Sequence, residues 1–189
     1  MIFVYYSHAS GGYREQHNEG IRLLKALVSE NFGLDITEND ILKTAVGKPY
    51  FEKIPLKFSI AHTKGLAVCG VTSAENGEIG IDCEYKRAYS ERVAKRVFSE
   101  NERRIIVGSD DADGMFTRLW TCKESRVKYT GSGLSGRCGG DEIYISNGIF
   151  RCADGTFFYT KRIGDEIVTV CSPLFPDDKN FIFRCADPI

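Results

Sequence analysis

Long apolar runs are missing from this chain of 189 residues. No segment approaches the ~20 apolar residues that a helix needs to cross a bilayer. The start, Met1-Ile2-Phe3-Val4-Tyr5-Tyr6-Ser7, has neither the basic stretch nor the long apolar core of a secretory signal. These absences argue against a membrane protein and lead to the expectation of a cytoplasmic one. Excess charge of one sign is missing too: 25 Lys and Arg face 26 Asp and Glu, so the global basic signature of nucleic-acid binding is absent. The seven cysteines, Cys69, Cys83, Cys122, Cys138, Cys152, Cys171 and Cys185, are odd in number and include no C-x-x-C. That spacing argues against a zinc site and for a reducing compartment in which buried thiols act as small apolar side chains.

What is present is concentrated in three short tracts. Phe116-Thr117-Arg118-Leu119-Trp120-Thr121-Cys122-Lys123-Glu124-Ser125-Arg126-Val127-Lys128 contains no proline or glycine and has Gly131 just past its end, so it reads as a helix. On that helix Trp120, Glu124 and Lys128 recur every four residues and share a face. Glu and Lys at this spacing can be a solvated pair worth only ~0.2–0.5 kcal/mol. Ile79-Gly80-Ile81-Asp82-Cys83-Glu84 reads as a strand whose alternation sends Asp82 and Glu84 to one side. Neighbouring carboxylates repel, and protonation or a shared cation relieves them; their hard oxygens suit Mg²⁺ or Ca²⁺ rather than zinc. The bland alternative is a strand running out into a charged loop. In Phe98-Ser99-Glu100-Asn101-Glu102, Ser99 and Glu102 have the spacing of a capping box, which would explain Glu102 without any chemistry.

Taken in order, G-I-D-x-E, F-S-x-x-E and W-x-x-K-E-S-x-x-K, preceded by Gly47-Lys48-Pro49 and Phe58-Ser59-Ile60-Ala61-His62-Thr63, resemble the 4′-phosphopantetheinyl transferases. The likeness is to the longer single-chain, Sfp-like type that modifies peptide and polyketide carrier proteins, and it covers residues 47 to 134. It implies transfer of the 4′-phosphopantetheine arm from coenzyme A to a serine of an apo acyl or peptidyl carrier protein, releasing adenosine 3′,5′-bisphosphate. By the same resemblance Asp82, Glu84 and Glu124 would bind Mg²⁺, Lys128 would neutralise the cleaved pyrophosphate, and Lys123 would assist. Glu102 would accept the serine proton. Lys48 and His62 would hold the nucleotide end of coenzyme A.

The chain departs from the family pattern in places. Ala61 stands where a serine is commoner, while Thr63 keeps a hydroxyl on the other side of His62. Cys83 should face away from the acids that flank it. Arg14, Arg22 and Lys25 are candidates for the basic residues expected near the nucleotide, and Arg126, at an often apolar position, suggests a partner contact or an exposed face. Between Lys86 and Arg104, seven cations (Lys86, Arg87, Arg92, Lys95, Arg96, Arg103, Arg104) oppose three acids, a solvated face or a docking face for an acidic carrier. Two other functions share the acids: a Mg²⁺-dependent nucleotide pyrophosphatase, and a non-catalytic module that binds coenzyme A or a carrier.

The expected fold class is α+β; the resemblance implies two pseudo-twofold-related subdomains, here at 1–85 and 86–189, with the site at their junction, and a monomer is the expected working unit. Strands are expected at 2–6, 58–61, 66–72 and 79–82, the last two joined by a turn at Glu75-Asn76-Gly77. Further strands are expected at 142–146, 156–161, 166–171 and 181–184. Helices are expected at 14–29, 35–43, 90–98, 100–107 and 114–128.

Overall fold

A computed structural model describes residues 1–133 and 141–187; Cys138 and most of the glycine-rich segment after Gly131 lie outside them. The chain opens with β1 (Ile2–Ala9) and α1 (Tyr13–Phe32). The helix starts after Gly12, whose N–H donates to Glu15 Oε2 at 3.0 Å, and ends at Gly33, where φ of 65° suits a residue without Cβ. Leu23, Leu24, Leu27 and Val28 form its buried stripe, at the i, i+1, i+4 and i+5 spacing of one helix face.

Residues 35–43 do not form the expected helix. Only Glu38–Asp40 make a 3₁₀ turn, and β2 (Ile41–Lys43) pairs antiparallel with β3 (Pro49–Phe51). Asp40 closes a capping box at the start of this turn by accepting the Thr37 N–H at 2.8 Å, the chain leaves the turn at Ile41 in an extended conformation, and Gly47, at φ of 88°, allows the reversal that brings the two short strands together. β4 (Leu56–Thr63) and β5 (Gly65–Ser73) form a hairpin, and β6 (Gly80–Tyr85) follows. The turn at 74–77 does not pair β5 with β6. It carries the chain from one sheet to another.

The helical middle comprises α2 (Glu91–Val97), α3 (Glu100–Val107) and α4 (Ala112–Thr130). Five strands close the chain: β7 (Tyr144–Ser146), β8 (Ile149–Arg151), β9 (Phe157–Ile163), β10 (Glu166–Ser172) and β11 (Phe181–Cys185). One sheet has the order β11-β1-β5-β4 and the other β6-β10-β9-β8-β7. The sheets therefore exchange elements across residue 85: β6 belongs with the later strands, and β11 returns to lie parallel to β1.

The layers run α1, first sheet, second sheet, and then the helices α2 to α4. Tyr5, Phe58, Cys69 and Val71 pack against α1. The opposite faces of the same strands present Ile2, Val4, Leu66 and Val68 to Ile79, Ile81, Val168 and Val170 of the second sheet. On the far side of that sheet Phe150, Phe158 and Cys171 meet Ile106, Phe116, Leu119 and Cys122. Each large apolar side chain sealed this way contributes roughly 1.5–3 kcal/mol. Among the described residues no helix is long and apolar enough to cross a membrane.

Candidate active site

Alternation along β6 sorts its side chains between two neighbours. Ile79, Ile81 and Cys83 enter the core between the sheets, whereas Gly80, Asp82 and Glu84 turn towards α4. Cys83 thus faces away from the acids, as expected. Gly80 sets the approach: a Cβ there would lie 1.9 Å from the Ser125 carbonyl oxygen and 2.4 Å from the Tyr129 nitrogen. Backbone therefore touches backbone, and α4 is laid close enough for Glu124 and Lys128 to reach the acids of β6. The Ile81 N–H donates to Ser59 Oγ at 3.0 Å, fixing β6 against β4 as well.

Four charged groups converge here. Asp82 is buried, 8% exposed, and its Oδ1 accepts from Lys128 Nζ at 2.8 Å, while Oδ2 is sealed from solvent without a hydrogen-bond partner. Burial pushes the Asp82 carboxyl up despite the pull of Lys128. Glu84 is half-buried with Arg87 Nη2 at 3.3 Å; burial raises it against the pull of Arg87, and the charges of Asp82 and Glu124 raise it further. Burial works against the charged form of Lys128, but Asp82 outweighs it and, with Glu124 nearby, holds the ammonium above its usual range. The helical spacing that suggested a Glu124–Lys128 pair is thus resolved differently: Lys128 bonds across to Asp82, and Glu124 lies within the electrostatic reach of both Glu84 and Lys128.

Lys128 also stands between two clefts of about 570 Å³ each. The first is walled by Tyr13, His17, His62 and Lys43, the second by Lys48, Glu124, Phe58, Ile60 and Val127. His62 is half-buried edge-on to Tyr13, with ring centroids 4.9 Å apart. Burial lowers its pKa, and the charges of Lys128 and His17 lower it further. Lys48 borders the second cleft, but its ammonium is held at 2.8 Å by both Glu78 Oε2 and the Tyr129 carbonyl. Ala61 is buried between the sheets yet borders the first cleft beside His62, whereas Thr63 lies at the end of β4 and lines neither cleft.

Glu102 and Lys123 are set apart from this group. Glu102 is 0% exposed and Lys123 3%, and their Oε1 and Nζ lie 2.7 Å apart. Glu102 also accepts the Ser99 N–H at 2.8 Å, closing the capping box, and the Ile143 N–H at 2.8 Å. Lys123 donates to the Asp141 carbonyl at 2.6 Å. The residue preceding Glu124 points roughly 100° away around the helix, which takes Lys123 into the core of the helical layer instead of into the cleft. Trp120 packs beside Phe116 under the Arg87 guanidinium, 5.2 Å from its ring, in keeping with an anchoring role.

Several residues took roles that sequence spacing did not suggest. Arg126, suggested as a partner contact or an exposed face, bonds to Asp141, Asp154 and Thr156 within the second half. Arg22 is tied to Glu19 and the Ala186 carbonyl, and Lys25 sits 3.5 Å from Glu38, so neither projects into a cleft. Tyr13 and His17, one helical turn apart on α1, supply that wall instead. Their i, i+4 spacing was a legible signal, but only β4 lying against α1 shows what it faces. Of the cations between Lys86 and Arg104, Lys86, Lys95 and Arg104 pair with Asp111, Glu91 and Glu100.

The donor set suits a hard cation. Asp82, Glu84 and Glu124 offer only oxygen, Asp82 Oδ2 is buried and unpaired, and the acids raise one another's affinity for positive charge. Lys128 and Arg87 now supply that charge. The carboxylates are not drawn as tightly together as metal ligands, since among the described residues the only three such ligand atoms within 4.8 Å of one another belong to His8, Cys185 and Asp187. The oxygen-only chemistry of these three acids would suit Mg²⁺.

A family model described as the 4′-phosphopantetheinyl transferase superfamily matches residues 78–170, from the start of β6 through α4 to β10. The 4′-phosphopantetheinyl transferase HetI of Nostoc sp. is 30% identical over 131 residues, which is 65% of this chain and 54% of that protein. The L-aminoadipate-semialdehyde dehydrogenase-phosphopantetheinyl transferase of Saccharomyces cerevisiae is 29% identical over 165 residues, 78% of this chain and 61% of that protein. The 4′-phosphopantetheinyl transferase Sfp of Bacillus subtilis is 32% identical over 116 residues, 60% of this chain and 50% of that protein. The chain thus spans about half to three fifths of the length of these curated relatives. The crystal structure of Thermotoga maritima holo-[acyl-carrier-protein] synthase aligns with a TM-score of 0.44 at 20% identity, over 49% of this chain and 60% of that one.

Proposed function

We propose that the chain is a member of the 4′-phosphopantetheinyl transferase superfamily and that it moves the 4′-phosphopantetheine group from coenzyme A to a serine of an apo acyl or peptidyl carrier protein. The observation that carries this reading is the convergence of Asp82, Glu84, Glu124 and Lys128 at the meeting of two clefts. The first cleft, with His17, His62 and Lys43, suits the phosphorylated nucleotide. The second, walled by Phe58, Ile60 and Val127, suits the pantetheine arm.

Asp82, Glu84 and Glu124 would hold Mg²⁺, which when bound supplies positive charge against the phosphoryl oxygens and the departing phosphate. Lys128, poised between the clefts, brings a fixed cation to the same pyrophosphate. His62, whose protonated form burial and the charge of Lys128 disfavour, gains a proton more readily once a phosphate lies beside it. Glu102 serves in this reading as a buried cap and counter-ion, since both its oxygens are committed. Both clefts are built within one chain, so a cytoplasmic monomer, its thiols reduced, is the expected working form. The two-subdomain division enters the same proposal, with β6 counted in the later half.

The test is to incubate the protein with coenzyme A, Mg²⁺ and several apo carriers and to weigh the carriers. A gain of one phosphopantetheine is expected; coenzyme A cleaved equally well without any carrier would favour hydrolysis. Asp82→Asn is expected to slow transfer by about 100-fold or more, because it removes both a ligand charge and the partner of Lys128. Unchanged transfer by that variant would remove Asp82 from the site.

Metal dependence should follow pH with a definite sign. Asp82 and Glu84 titrate above the ordinary carboxylate range, so protons compete for their oxygens at a higher pH than usual. The Mg²⁺ concentration giving half-maximal transfer is therefore expected to rise as the pH falls from neutral into that range. A requirement independent of pH would contradict this ligand set.

A further inference from the structure

The cysteine spacing argued against zinc, yet the fold gathers a sulfur, an imidazole and a carboxylate at the far end of the first sheet. Cys185, His8 and Asp187 each offer a ligand atom, and these three atoms lie within 4.8 Å of one another on the exposed surface. From this geometry we infer a second metal site, distinct from the oxygen-lined cleft, that takes Zn²⁺ through His8, Cys185 and Asp187.

The placement follows from strand register. β1 and β11 run parallel with Tyr6 opposite Cys185, and the Ala186 N–H donates to the Tyr6 carbonyl at 2.8 Å. His8 lies two residues after Tyr6, and Asp187 two after Cys185, so alternation carries all three donors to the same side. The groups are held before any metal arrives. Asp187 Oδ1 accepts the His8 backbone N–H at 2.7 Å, its Oδ2 lies 2.9 Å from His8 Nδ1, and Arg22 Nη2 donates to the Ala186 carbonyl at 2.6 Å.

The ligand types select the ion. Tetrahedral Zn²⁺ with bonds of about 2.0–2.3 Å keeps its ligand atoms roughly 3.3–3.7 Å apart, a small adjustment from the present spacing. A thiolate and an imidazole favour a borderline ion over Mg²⁺, the opposite preference to that of the three acids in the cleft. Thiolate and carboxylate together balance the dication, and the exposed position leaves the fourth place to water. Bound there, zinc would fasten the end of β11 to β1.

Co²⁺ titration of the reduced full chain, with Mg²⁺ in excess to occupy the cleft acids, tests the assignment. A thiolate-to-cobalt charge-transfer band is expected to saturate at one equivalent and to vanish when Zn²⁺ is added. Cys185→Ser should abolish the band, Cys138→Ser should leave it, and His8→Gln or Asp187→Asn should weaken Co²⁺ binding about 10-fold or more. Saturating Zn²⁺ should raise the melting temperature of the wild type by about 4 °C, and not that of Cys185→Ser. A colourless titration of the wild type, or a band that survives in Cys185→Ser, overturns the site. None of these readouts depends on transferase activity.

Discussion

Alanine at position 80 is expected to cost the protein about 3 kcal/mol or more of its stability, the largest effect of a single methyl group foreseen here. The added Cβ would sit 1.9 Å from the Ser125 carbonyl oxygen and 2.4 Å from the Tyr129 nitrogen, and neither obstacle can rotate away as a side chain can. Either α4 lifts from β6 or β6 shifts in its sheet, and both movements separate Lys128 from Asp82. Urea denaturation should show the loss as a lowered midpoint, and transfer should fall even in conditions where the variant stays folded. Gly20→Ala provides the comparison. Its Cβ would meet only the Ile60 side chain, Cγ2 at 2.5 Å and Cβ at 3.9 Å, which can yield in part, so a smaller loss is expected. A Gly80→Ala protein within about 0.5 kcal/mol of wild type would show that α4 and β6 do not meet as described.

The buried Glu102–Lys123 pair should show the second large effect. Lys123→Met leaves a carboxylate at 0% exposure without its cation, and Glu102→Gln leaves an ammonium at 3% exposure without its anion. Each single change is expected to cost about 3–5 kcal/mol, because an unpaired buried charge is more damaging than the pair is helpful. The double variant Glu102→Gln/Lys123→Met should recover part of that loss, since no buried charge is left unpaired, although the amide oxygen can accept from only one of the Ser99 and Ile143 N–H groups that the two carboxylate oxygens now share. Added salt should change little, as the pair is sealed from solvent. Additive losses would contradict the pairing. A Glu102→Gln protein that keeps its stability but loses turnover would return this carboxylate to the role of proton acceptor.

These two expectations mark where sequence reasoning stopped. Ser99 and Glu102 at capping-box spacing were legible, because a cap is a contact within one turn of helix. That the same carboxylate also holds Lys123 and the Ile143 N–H depends on how α3, α4 and the chain before β7 come together, and no spacing encodes it. Likewise the alternation in Ile79–Glu84 placed Asp82 and Glu84 on one side, but Gly80 looked like one small residue in a strand until α4 was found against it. The turn at 74–77 shows the same limit. Its residues signalled a turn, which is present at Ala74–Asn76, but not its outcome, since the pairing of β6 with β10 required a partner more than eighty residues away in the chain.

The amino-acid sequence by itself determined most of the longer elements and their faces: an α+β chain, α4 with Glu124 and Lys128 in line, and two acids projecting together from β6. Periodicity does this because it records which side of an element is to be buried. Only the tertiary structure decided the partners. It gave Lys128 to Asp82 rather than to Glu124, buried Lys123 with Glu102, walled the cleft with Tyr13 and His17, and set Cys185 beside His8 from opposite ends of the chain. Partner choice belongs to the packed whole, where layers close and a buried charge takes whichever counter-ion the fold brings within reach.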